Sequence, residues 1–277
     1  MPIAPRLVAE LNANLPGAVR RADAALSRGS REARLATGFA ALDAVLDGGV
    51  PRGRLSEIVG PTSTGLTSLL HRLLGHVTGQ GQLAAWIDAP DAFDPASAVA
   101  AGIDLERLLW VRPPDLPTAF SAAEALLGMG GLPLVLLDAS APRYRPRGAG
   151  DVAPRVSPPA AWRDRRTSRP VRGMGDASHV WMRLARAAAR SHSALVVLQR
   201  TRRRPPARPD GTRVVQRTSS GSAGFSAAVR LEVEPLRVVW HHTGGAPSLL
   251  DGLVARILVT RNRGGRSNPG PVVLEIV

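Results

Sequence analysis

The chain of 277 residues contains no cysteine and no lysine. Lack of cysteine excludes disulfides, thiolate-bound zinc and thiol catalysis, and it suits a reducing cytosol. A chain of this length can bury a core without such staples. Aromatic residues are scarce, at 4%. No run approaches the roughly 20 apolar residues of a membrane span. The stretch from Met1 to Leu15 lacks the apolar centre of a signal peptide. No Ser/His/Asp arrangement stands out. His241 and His242 have no acidic or thiol neighbours at ligand spacing, so no metal site is expected there. His71 is read as a surface residue.

What the chain has in excess is positive charge, a net +14 carried by 36 arginines. Residues 140–217 hold 19 Arg against 4 Asp, a net +15, and the rest of the chain is at −1. A near-neutral body with one basic segment points to a polyanion partner. The same composition also fits an Arg/Pro-rich segment with no specific partner. Tyr144 and Trp162 lie among these arginines, where such rings either stack on bases or pack the loop.

The hydrophobic pattern divides the chain into a helical arm, 1–35, and an α/β core, 36–277. In the arm, Leu7, Val8, Leu11 and Leu15 recur at helical spacing before Pro16-Gly17. These leucines would be exposed on a lone helix, and docking on another chain is expected. Strands are expected at Leu55–Val59, Leu83–Asp88, Leu108–Val111, Leu134–Asp138 and Ala194–Gln199. Helices are expected at Ser68–Val77, Thr118–Met129 and Asp176–Ser191. This alternation implies a mostly parallel sheet with helices on both faces. Four further strands, Ala228–Val233, Arg237–His242, Val254–Thr260 and Val272–Val277, follow without helices between them, as antiparallel strands do. Arg/Pro-rich loops at 140–175 and 200–222 interrupt the pattern.

Between the first strand and its helix lies Gly60-Pro61-Thr62-Ser63-Thr64-Gly65-Leu66-Thr67. This is the context and nearly the spelling of a phosphate-binding loop, whose glycines free backbone N–H groups to face an anion at a helix N-terminus. The lysine that would reach the terminal phosphates is replaced by Leu66. Thr67 retains the hydroxyl that holds Mg²⁺, and Asp138, ending the fourth strand, is the matching acid. Two readings stand: weak nucleotide binding, or a relic that binds nothing.

Several segments resemble RecA recombinases. They are Thr37-Gly38, Leu42-Asp43, Gly48-Gly49, Glu57-Ile58, Gly60-Pro61, Ile87-Asp88-Ala89 and Asp94-Pro95. The resemblance implies a RecA-like P-loop core with ATP and Mg²⁺ held at most weakly. It places Gln199 as a nucleotide sensor and Arg261 and Arg263 at a subunit interface. It places DNA contacts on Arg200, Arg202, Arg203, Arg204, Arg208, Arg213 and Arg217, with Arg143–Arg172 secondary. The catalytic glutamate of the family falls on Pro90, and its adenine-stacking aromatic falls on Ser97. With Leu66, these departures lead to the expectation of a degenerate site and no enzyme.

The stretch Ala101-Gly102-Ile103-Asp104-Leu105-Glu106-Arg107-Leu108-Leu109-Trp110-Val111-Arg112-Pro113 is similar to ImuA, a RecA-like accessory family of translesion synthesis. That resemblance implies a damage-response scaffold in the cytoplasm, associated with the nucleoid. Its implied partners are single-stranded or primer-template DNA, an ImuB-like homologue of Y-family polymerases, an error-prone replicative-type polymerase, RecA, and further copies of itself. Two rivals remain: an active DNA-dependent ATPase, and a protein-interaction module with solvated arginines.

Overall fold

Runs of apolar residues without alternation form strands that are covered on both faces. A computed structural model describes residues 33–140, 177–201, 223, 226–241, 249–263, 265 and 270–276. Most of the arm and of the two Arg-rich loops, with Arg202, Arg203, Arg204, Arg208, Arg213, Arg217, Tyr144 and Trp162, lies outside these residues.

The strands are β1 (Arg34–Leu35), β2 (Val50–Pro51), β3 (Leu55–Pro61), β4 (Ala84–Asp88), β5 (Leu108–Val111), β6 (Leu134–Asp138), β7 (Ala194–Thr201), β8 (Val229–His241), β9 (Leu249–Asn262) and β10 (Val272–Ile276). The helices are α1 (Ala40–Val45), α2 (Leu66–Gly79), α3 (Pro95–Ala100), α4 (Leu116–Met129) and α5 (Ala177–Ser191). β1 and β2 form a small antiparallel ribbon. The other eight strands make one sheet in the order β10-β9-β8-β3-β7-β6-β4-β5. β8, β3, β7, β6, β4 and β5 are parallel, and β9 and β10 add antiparallel strands at one side. The mixed sheet expected from the sequence is therefore present.

One face of the sheet packs Leu42 of α1 and Leu69, Leu70, Leu73 and Leu74 of α2 against Trp86, Leu136, Val196 and Leu231. The other face packs Ala119, Ala123 and Leu127 of α4 and Trp181 and Leu184 of α5 against Ile87, Val135, Leu137 and Val197. Asp115 starts α4 by accepting from Thr118 N at 2.8 Å, and Asp94 starts α3 by accepting from Ser97 N at 3.0 Å. Such caps satisfy backbone donors that the first helical turn leaves without partners.

Three details differ from the sequence-based expectation. Arg34–Leu35, placed in the helical arm, form strand β1 because they pair with Val50–Pro51. β8 is one strand and not two, and it accommodates Pro235 at an irregular register between Pro235 and Arg237. Proline cannot donate to the ladder, so it survives in a strand where pairing is already broken. His71 is a buried residue, 6% exposed, and not a surface one. It faces inward from α2 and meets Trp86 and Phe93 edge-on, at centroid distances of 5.6 and 5.8 Å.

Candidate nucleotide site

The loop between β3 and α2 has the backbone that an anion cradle needs. Ser63 and Gly65 both adopt left-handed conformations, at φ 61° and 79°. The Thr64 hydroxyl donates to Pro61 O at 2.8 Å and ties the turn together. At Gly65 the positive φ favours glycine, and a Cβ would stand 2.7 Å from Ile276 Cδ1, so that side chain would have to shift. At Gly60 a Cβ would stand 2.8 Å from the Val233 carbonyl oxygen and 3.3 Å from Leu66 Cδ2. The loop is therefore backed by the antiparallel strands, and Leu66 folds back over its start. Leu66 is 3% exposed and belongs to the apolar core.

Strand register brings two charged residues to the loop. β3 pairs with β7 so that Gly60 lies beside Arg200, and β6 pairs with β7 so that Asp138 lies beside Leu198. Asp138 is 1% exposed. Its Oδ1 accepts from Ser140 N at 3.0 Å, and its Oδ2 has no hydrogen-bond partner. Arg200 Nη2 stands 3.4 Å from that Oδ2 and donates to Thr67 Oγ1 at 3.3 Å. Burial pushes the Asp138 carboxyl above the usual range, against the Ser140 hydrogen bond and the Arg200 charge. Thr67 and Asp138, the pair expected at the metal, do come together. An arginine assigned from sequence to DNA lies between them.

Gln199 is next in the chain but points the other way. Alternation along β7 puts Leu198 and Arg200 on the α2 face, and Gln199 on the opposite face with Val197. Asp88, level with Asp138 across β4 and β6, accepts from Ala92 N at 2.9 Å, Phe93 N at 2.8 Å and Trp110 Nε1 at 3.3 Å. It therefore holds the turn that contains Pro90.

Arg261 and Arg263 are remote from the loop. Arg261 pairs with Arg230 of β8, and Arg230 pairs with Glu57 of β3. Glu57 precedes Gly60 by roughly 10 Å of strand, and β9 lies two strand spacings away from β3. Arg263 N donates to Ala228 O at 2.7 Å, beside the start of β3. Burial, then the charges of Arg263 and Arg230, pull the Arg261 guanidinium below its ordinary range. Beneath them the buried Glu57 forms an ion pair with Arg230, which also reaches Glu232 at 3.3 Å.

A P-loop between β3 and α2, an acid ending β6 and a sheet extended by antiparallel strands now stand together. Residues 25–153 match the family model of the RecA N-terminal domain. Over that stretch the chain is similar to the RecA N-terminal domain. It is 44% identical over 110 residues to the RecA protein of Rubrobacter xylanophilus, covering 39% of this chain and 32% of that protein. It is 29% identical over 231 residues to the RecA protein of Herpetosiphon aurantiacus, covering 82% of this chain and 58% of that protein. The chain thus spans between a third and just over half of these relatives. Its fold is similar to the crystal structure of the RadB recombinase, with a TM-score of 0.59, 17% identity, and coverage of 88% of this chain and 96% of that one.

These comparisons correct the expectation that the RecA-like chain is no enzyme. Its relatives carry the name RecA along as many as 231 residues. Among the described residues no helix is long and apolar enough to cross a membrane.

Proposed function

We propose that this chain is a RecA-like DNA-binding protein of damage-induced translesion synthesis, working with an ImuB-like Y-family homologue and an error-prone replicative-type polymerase. The observation that carries the DNA part is topological. β6 ends at Asp138 and β7 at Thr201, beside the loop that follows β3. The two Arg-rich segments begin directly after these two strand ends. The charge excess of the chain thus departs from the sheet edge that carries the phosphate loop, where ligands of parallel α/β sheets gather. The polymerase partnership rests on the ImuA resemblance of residues 101–113.

The test is a titration with a fluorescent single-stranded oligonucleotide across a salt series. Six phosphate contacts would give a log–log slope of about −4. Changing Arg202, Arg203 and Arg204 to Ala should lower affinity and flatten the slope by about 2. A triple variant that binds as tightly as the parent at every salt concentration would overturn the DNA assignment. Co-purification of the full chain with an ImuB-like homologue tests the partnership, and failure of the two to associate counts against it.

A second reading is favoured by the RecA relatives and by the cation at the loop: DNA-dependent ATP turnover at the same site. Phosphate release in the presence of Mg²⁺, with and without single-stranded DNA, measures it. DNA-stimulated release supports the enzyme reading, and a rate no higher than that of a loop-deleted control opposes it.

A further inference from the structure

A P-loop ordinarily neutralises its ligand with two cations. One is the lysine of the loop. The other is Mg²⁺, held by the loop hydroxyl and the acid at the end of a neighbouring strand. Here the lysine position is Leu66, inside the core. The other two groups, Thr67 Oγ1 and Asp138 Oδ2, are bridged by one nitrogen of Arg200 at 3.3 and 3.4 Å. The donors present therefore do not fit the ordinary metal: a guanidinium already stands where a divalent ion would bind. The buried Asp138 Oδ2, lacking a hydrogen-bond partner, faces that same point.

We infer that Arg200 replaces both cations, so that the site takes a nucleotide polyphosphate as its metal-free anion. Three features converge on this ligand. The loop backbone and the N-terminus of α2 offer N–H groups and a positive dipole end. Arg200 is 18% exposed and its Asp138 partner 1%, so solvent and ligands can reach the guanidinium but not the carboxylate. A guanidinium has five donors in a planar fork, and one nitrogen engaged with Thr67 and Asp138 leaves others for phosphate oxygens. The register of β3 on β7 delivers the group to Gly60 whatever residue follows Gly65. A leucine at that position is thereby tolerated.

The inference rests on reading the loop as a nucleotide site, and its test does not involve DNA. A fluorescent ATP analogue is titrated into the full chain, once with excess Mg²⁺ and once with EDTA. The parent should bind in EDTA at least as well as in Mg²⁺. Arg200→Gln and Arg200→Ala, each checked for an unchanged melting curve, should lose roughly ten- to a hundredfold in EDTA, the scale of a charge-assisted hydrogen bond. A parent that needs Mg²⁺, a parent that binds no analogue, or variants that keep the parent's affinity in EDTA would each overturn the inference. So would variants whose affinity rises in EDTA, because Arg200 would then be blocking the site. The salt titration above reads the DNA assignment separately, so either can fail alone.

Discussion

His71 follows Thr67 by one turn of α2 and points into an aromatic cluster. Phe93 lies 5.1 Å from both Trp86 and Trp110 by ring centroid, and His71 closes the group. Its Nε2 is buried without a hydrogen-bond partner. Burial pulls the imidazole below its ordinary range, with the Asp94 charge opposing in part. A histidine depressed in the folded state binds its proton more readily when unfolded. Stability is therefore complete above the unfolded value of about 6.5 and declines as pH falls below it. Replacing His71 with Phe should flatten that decline, read by urea unfolding between about pH 7 and pH 5. An unchanged slope would show that other groups govern it.

The same scale shows why sequence placed His71 outside. A lone histidine among leucines at helical spacing carries no mark of facing inward until the helix is set against Trp86. Arg200 was legible as an arginine after a strand, yet its neighbours Thr67 and Asp138 lie 133 and 62 residues away. Only the pairing of β7 with β3 and β6 discloses them. The buried Glu57–Arg230 pair, 173 residues apart, was beyond reach for the same reason.

At the scale of elements, apolar strand runs and long helices were readable, and short helices were not. β5 and β6 have the limits expected from their apolar runs, and α4 and α5 extend or trim theirs by one or two residues. α1 and α3, six residues each, are too short for a helical repeat to show. They are fixed instead by Asp43, whose Oδ1 accepts from Thr37 N at 2.8 Å, and by the Asp94 cap. The turn between β3 and α2 was legible because its left-handed backbone at Gly65 favours glycine. Replacing Gly65 with Ala should cost at least about 1 kcal/mol, since the left-handed backbone alone costs a non-glycine that much. Overlap with Ile276 adds to it. Chemical denaturation measures the change, and an Ala variant as stable as the parent would mean that β10 stands further from the loop.

For the molecule as a whole, charge is partitioned by region and not spread over the surface. In sequence, a body at −1 carries a segment at +15. On the proposed DNA reading, contacts of these arginines would go to phosphates and carry no base information. Binding of single-stranded oligonucleotides of equal length and different sequence should therefore agree within about threefold at fixed salt. A strong sequence preference in competition assays would place base-reading groups in the interface. The parallel core and its antiparallel extension were anticipated by the spacing of apolar runs. Which end of the sheet received Arg261 and Arg263 was not, because it depends on the β8–β9 register.

The contact of Ile276 and Leu253 with Gly65 joins the back wall of the phosphate loop to residues made long after it. About 211 residues separate Gly65 from Ile276. At the usual pace of ribosomes, near 5–20 residues per second, the loop waits roughly 10–40 s for that support. During the wait the half-built sheet offers β3 without β8, β9 or β10 beside it. Until then the Gly60–Thr67 backbone stands without the β9 and β10 side chains behind it.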